Sequence, residues 1–144
     1  LGLIYMKYLV IGLGNFGQTL AQTLTDNGHE VIGVDLLSRN IEQIKDRIAF
    51  SYILDATDPL ALRSLPLTQV DCTVVAIGQS MDHSLRTVAA LKQLKVENIY
   101  ARALDTTHKS ILEAMNIRKI FIPESYAAKL FAAKFAENTT EELL

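Results

Sequence analysis

The segment Gly12-Leu13-Gly14-Asn15-Phe16-Gly17 constrains the fold more than any other part of this chain. It follows directly on the apolar run Tyr8-Leu9-Val10-Ile11 and opens a stretch with Phe16, Leu20 and Leu24 at four-residue spacing. A G-x-G-x-x-G pattern set between a strand and a helix has a mechanical meaning. The first glycine permits a tight turn, the second lets backbone approach a diphosphate, and the third lets helix pack closely on strand. The helix start adds unpaired N–H groups and partial positive charge at the same point. Asp35 ends the next apolar run, 18 residues after Gly17, where its carboxylate can accept hydrogen bonds from both ribose hydroxyls. A 2′-phosphate there would meet a like charge, so NAD(H) or an adenosine nucleotide is expected over NADP(H), despite Arg39 close behind.

The rest of the chain repeats the same alternation. Short β-branched runs end at Ile11, Asp35, Asp55, Ile77, Ala101 and Ile122, with helically patterned stretches between them. The helix after the glycines is expected over 15–27, with Gly28 as its stop. Ser38 is expected to cap a helix whose apolar stripe is Ile41, Ile44 and Ile48. Tyr52-Ile53-Leu54 reads as a third strand, and Asp58-Pro59 as a capped helix start. Met81, Leu85, Val88, Ala89 and Leu94 are expected on one side of a fourth helix, and Ile111, Leu112 and Met115 mark a fifth. Six strands with interleaved crossovers imply an α/β fold, a Rossmann-type doubly wound parallel sheet in the order 3-2-1-4-5-6. Ligands of such sheets sit at the carboxyl edge, so Asp55-Ala56-Thr57 and Ile77-Gly78-Gln79 should wall the same crevice as the glycines.

The chain divides on this reading into a nucleotide-binding domain over 6–123 and a C-terminal helix over 124–144. Residues 1–5 precede Met6-Lys7, which resembles a natural start, and are expected to be a vector-derived or upstream remnant. The last stretch carries Ala127, Leu130, Phe131 and Phe135 on or near one face. It has no further strand to serve, which leaves two readings, a helix folded back on its own sheet or one that reaches a partner subunit.

A net charge of -2 and the lack of any Lys/Arg run provide no positive field for nucleic acid. No apolar stretch approaches the roughly 20 residues that span a bilayer, so no direct membrane insertion is expected. The single Cys72 sits in an apolar run, where a buried inert thiol suits a reducing cytoplasm. His29, His83 and His108 show no metal-ligand spacing.

Several segments outside the glycine fingerprint, taken with it, resemble the N-terminal domain of the regulators of potassium conductance, the KTN or Trk/Ktr-type nucleotide-binding domain. They are Gly28-His29-Glu30-Val31 leading to Val34-Asp35, Asp55-Ala56-Thr57-Asp58, Val75-Ala76-Ile77-Gly78 and Ile122-Pro123-Glu124. The resemblance covers Met6 to about Phe135. It implies a cytoplasmic regulatory subunit at the inner face of the membrane that binds NAD(H), ATP, ADP or AMP. It also implies a homodimer, commonly within an octameric ring, beneath an integral membrane potassium transporter or channel. By position, Gly12, Leu13, Gly14, Asn15, Phe16 and Gly17 would hold phosphates and Asp35 the ribose. Asp55, Ala56 and Thr57 would flank adenine, Ile77, Gly78 and Gln79 would line the pocket, and Arg102 would reach the phosphate or the distal nucleotide. His108 matches a position near the ligand in some relatives, and Glu124 one used for a cation or the nucleotide at the dimer interface. Some members carry arginine where this chain has Asn15, which lowers the expectation of ATP preference and raises NAD(H), ADP and AMP. Relatives usually continue into a small C-terminal sensing domain; the sequence here ends at Leu144, so that part is expected either to belong to a longer chain of which this is a fragment or to come from another subunit.

Two other functions fit the residues. The chain could be the cofactor half of an NAD-dependent dehydrogenase, with Asp82, His83 and Ser84 as the cluster nearest the nicotinamide. It could also be an assembly module indifferent to nucleotide.

Overall fold

The computed structural model describes residues 5–137. Four of the five residues assigned to an N-terminal remnant, and the last seven of the C-terminal segment, lie outside the described residues. Six parallel strands form one sheet in the order β3-β2-β1-β4-β5-β6, as the alternation of strand and helix implies. They are β1 (Lys7–Ile11), β2 (Glu30–Asp35), β3 (Phe50–Ile53), β4 (Cys72–Val75), β5 (Ile99–Arg102) and β6 (Lys119–Phe121). The helices are α1 (Asn15–Asp26), α2 (Ser38–Ile44), α3 (Pro59–Arg63), α4 (Met81–Gln93), α5 (Thr106–Ala114) and α6 (Pro123–Glu137).

Strand β1 is hydrogen-bonded to β2 on one side and β4 on the other, and successive residues feed opposite cores. Leu9 and Ile11 join the cluster under α3, α4 and α5 that includes Leu62, Val88, Leu91 and Leu112. Val10 joins the cluster under α1 and α2 that includes Ala21, Ile41 and Ile44. Continuous apolar runs in β1, β2 and β4 reflect helices covering both faces of a parallel sheet. Cys72 is buried in the second cluster, and burial pushes its thiol pKa up.

Several local expectations shift. Ser38 is the first residue of α2 rather than its cap; Leu37 holds the cap position without a side-chain bond, and its N–H goes to Asp35. The helix stops at Ile44, and Ile48 reaches the core from the turn beyond it. Strand β3 starts two residues earlier than Tyr52 and is an edge strand, with Phe50, Tyr52 and Ile53 exposed. On α4 the buried face is Ser84, Thr87, Val88 and Leu91, while Met81 and Ala89 are exposed. Small polar residues took the inward positions, so the stripe drawn through aliphatic residues alone was rotated.

Helix α6 buries none of its residues. Tyr126, Leu130, Phe131 and Phe135 are more than half exposed, and Phe131 and Phe135 lie against each other with ring centroids 6.0 Å apart. A helix folded back on its own sheet would bury these rings, so that reading is excluded.

Candidate nucleotide-binding site

The carboxyl ends of β1 to β5 open onto a crevice of about 730 Å³. It lies where the chain order reverses between β1 and β4, the place at which such sheets bind ligands. Its walls include Gly12, Gly14, Asn15 and Phe16 from the glycine turn, Asp35, Leu36 and Leu37 after β2, and Leu54, Asp55 and Ala56 after β3. Ile77, Gly78, Gln79 and Ser80 follow β4, His83 and Thr87 come from α4, Arg102 from β5, and Pro123, Glu124 and Ala127 from α6.

The three glycines have separable reasons. Gly12 has φ +97, and a Cβ there would lie 2.9 Å from the Ile77 backbone nitrogen. At Gly17 a Cβ would meet the Gly12 carbonyl oxygen at 1.8 Å, so α1 seats on the turn only because this residue has no side chain. Gly14 is different, because among the described residues no atom beyond its immediate chain neighbours lies within 4 Å of where its Cβ would stand. It caps α1 without a side-chain hydrogen bond, which leaves the first N–H groups of the helix facing open crevice.

Asp35 is pinned from two sides. Its Oδ2 accepts the Leu13 N–H at 2.7 Å and its Oδ1 accepts the Leu37 N–H at 2.8 Å. One carboxylate thus ties the glycine turn to the β2–α2 connection, and each oxygen keeps a lone pair for a sugar hydroxyl. Leu13 itself does not face the crevice: its side chain is fully buried in the core and its N–H is spent on Asp35. Gly17 likewise packs rather than lines. Thr57 turns away too, giving its N–H (3.0 Å) and hydroxyl (2.6 Å) to Asp55 Oδ1. Those two bonds hold the Asp55 carboxyl below its ordinary pKa.

Arg102 lines the crevice, with its side chain largely buried. Its guanidinium covers Gly78, where a Cβ would come within 2.6 Å of Nη1, and its Cζ stands 5.4 Å from the centroid of the Phe16 ring. Nη2 donates to Glu124 Oε2 at 2.5 Å, while Nε is buried without a partner. Glu124 is held below the usual carboxylate range first by its own backbone N–H in the opening turn of α6, then by Arg102. The carboxylate assigned to a metal is therefore paired with an arginine. No group of three or more metal-ligating side chains occurs among the described residues.

His108 is placed elsewhere than the resemblance implied. It is fully buried and does not line the crevice. Its Nδ1 accepts the Leu104 N–H at 2.9 Å, which leaves the proton on Nε2 to donate to Ser84 Oγ at 3.0 Å. It joins α4 to α5 as a neutral ring, and burial lowers its pKa. The trio considered for acid–base chemistry is also dispersed. Asp82 is paired with Arg86 at 2.9 Å on the surface, Ser84 is bound to His108, and only His83 reaches the crevice. Leu36, Leu37, Asn40, Ser80, Thr87 and Ala127 also line it and were not foreseen; the position of Leu36 and Leu37 straight after Asp35 was the available signal for two of them.

Residues 8–123 match the family described as the TrkA-N domain. The chain belongs to the TrkA-N family. Among curated proteins, it is similar to Ktr system potassium uptake protein A of Bacillus subtilis (strain 168), 31% identical over 136 residues, 94% of this chain and 60% of that protein. Ktr system potassium uptake protein C of the same organism is 30% identical over 138 residues, 96% of this chain and 62% of that protein. This TrkA-N chain thus spans about three-fifths of these relatives' length. Among solved structures, the NAD(P)-binding domain of an exopolyphosphatase-related protein from Archaeoglobus fulgidus superposes with TM-score 0.79 at 27% identity, covering 92% of this chain and 99% of that one. The Shewanella denitrificans Kef C-terminal domain in its AMP-bound form has the same fold, with TM-score 0.71 at 19% identity and coverage of 92% and 83%.

Proposed function

We propose that this TrkA-N domain binds NAD(H) or an adenine nucleotide and serves as the cytoplasmic regulatory part of a potassium-uptake system, acting on a membrane transporter or channel from its inner face. The observation that carries the proposal is the crevice itself. A glycine turn with an open backbone face and an uncapped helix start stands beside a carboxylate pinned by the Leu13 and Leu37 amides. Phosphates suit the first and ribose the second. Potassium transport enters through the Ktr relatives, and the AMP-bound Kef domain and the NAD(P)-binding archaeal domain support the ligand class. The neutral Asn15 at the turn favours NAD(H), ADP or AMP over ATP.

Regulation on this reading is linkage rather than chemistry. A second copy docks through the exposed apolar side of α6, and a ligand that fits one dimer geometry better shifts the population toward it. Calorimetry with NADH, NAD, ADP, AMP and ATP tests the reading. Saturable heat with at least one of them is expected, and none with any would sink it.

The dehydrogenase alternative has one supporting observation, a stretch of 43 residues 49% identical to glycerol-3-phosphate dehydrogenase [NAD(P)+] of Acholeplasma laidlawii (strain PG-8A), covering 30% of this chain. A match so short can reflect a shared nucleotide fingerprint alone, and the dispersal of Asp82, His83 and Ser84 disfavours hydride-transfer chemistry.

A further inference from the structure

Among the described residues, two buried side-chain polar atoms lack a hydrogen-bond partner, and both belong to residues lining the crevice. One is Arg102 Nε. The other is the hydroxyl of Thr87, a residue with none of its surface exposed, in the middle of α4. Ser84, three residues earlier on the same helix, shows how the fold treats a hydroxyl it needs internally, since it is bound to His108. Buried polar groups in folded proteins are almost always satisfied, so an unpaired hydroxyl in a cavity wall points to an occupant.

The position of Thr87 says which part of a ligand it would meet. Helix α4 packs on α3, which follows the loop Asp55-Ala56-Thr57. His83, one turn before Thr87, is close enough to Asp55 to add a charge contribution behind the dominant Thr57 bonds. Thr87 therefore belongs to the β3 end of the crevice. Measured from the glycine turn, that end lies beyond Asp35. With phosphate at the turn and ribose at Asp35, the base falls there, among the aliphatic side chains of Leu54, Ala56 and Ile77.

We propose that Thr87 reads the base: its hydroxyl hydrogen-bonds the edge of the purine ring of the bound nucleotide. A hydroxyl both donates and accepts, so it can serve a ring nitrogen or an exocyclic amine. Apolar walls receive the ring faces, and the unpaired hydroxyl supplies the directional contact that such walls lack.

This rests on the nucleotide-binding reading above, and the test separates the two. The full chain is titrated with AMP and with ribose 5-phosphate, which keeps sugar and phosphate but has no base, by calorimetry and by ligand-observed NMR where heats are small. Thr87→Val keeps the shape and removes the hydroxyl, and Thr87→Ser keeps the hydroxyl. Thr87→Val is expected to bind AMP about tenfold more weakly, Thr87→Ser within about threefold of the parent, and ribose 5-phosphate equally well in both. The ligand-free Thr87→Val protein should melt no lower than the parent, because it loses an unsatisfied buried group. Unchanged AMP affinity in Thr87→Val would overturn the inference and leave the hydroxyl to a water. An equal loss for ribose 5-phosphate, with or without a lower melting temperature, would overturn it in favour of a sugar contact or a damaged fold. If the parent binds AMP and Thr87→Val binds it equally, base reading alone fails; if the parent binds none of AMP, ADP, ATP, NAD and NADH, the wider function fails with it.

Discussion

At Asp35 two amides from different loops end on one carboxylate, so the side chain shapes the site before any ligand arrives. Asp35→Ala is expected to weaken nucleotide binding by roughly 1–3 kcal/mol through lost charged hydrogen bonds, and to lower stability because the Leu13 and Leu37 amides lose their acceptor. Calorimetry and urea unfolding measure the two effects; full affinity in the folded variant would remove Asp35 from the sugar site. His108 gives a pH prediction. Burial lowers its folded pKa below the ordinary 6.5, so the unfolded chain takes up the proton first. The contribution to stability is complete above about pH 6.5 and is lost as pH falls below that value toward the folded one. Urea midpoints should drop between pH 7.5 and 5.5, and less so in His108→Gln; identical pH slopes in the two proteins would refute the assignment. Residues fixed by backbone mechanics, such as Gly12, Gly14, Gly17 and Asp35, were legible because the turn demands them. Leu13 and His108 were placed by partners distant in sequence, Asp35 and Ser84, which no local pattern announces, whereas Thr57 is turned by the local Asp55 carboxylate two residues earlier.

Elements were read from periodicity, and their order survived where their edges did not. Strand β3 begins at Phe50 because its pairing with Ile32 on β2 sets its start, not its own composition. The interlock of α1 with β1 permits a sharp test. Gly17→Ala puts a methyl on the Gly12 carbonyl and should cost about 1–3 kcal/mol or more, with a loss of nucleotide affinity as the turn is pushed open. An unchanged urea midpoint would contradict the packing described. Helix α6 makes the opposite prediction, because none of its residues is buried in the core. Replacing Leu130, Phe131 and Phe135 together by Asp should leave the melting temperature of the isolated domain within a few degrees while converting the proposed dimer to monomers in light scattering. A dimer that persists would mean that the copies meet elsewhere.

For the molecule as a whole, a nucleotide bound at the sheet's switch point, as proposed above, would link ligand to fold. At a nucleotide concentration one hundred times its Kd, stabilisation of about 2.7 kcal/mol is expected, a rise on the order of 10 °C for a domain of this size. A saturating ligand that leaves the melting curve in place would not be bound to the native state. Arg102 and Glu124 give that linkage a direction. The carboxylate stands at the root of α6, where the helix's own dipole welcomes negative charge, so it can survive without its arginine. A guanidinium shared between chamber wall and helix root acts as a single counter-ion serving two claimants. On the proposed reading, an anion settling in the chamber would alter the tether on the helix, and by reciprocity a partner that tilts the helix would change how firmly that anion is held.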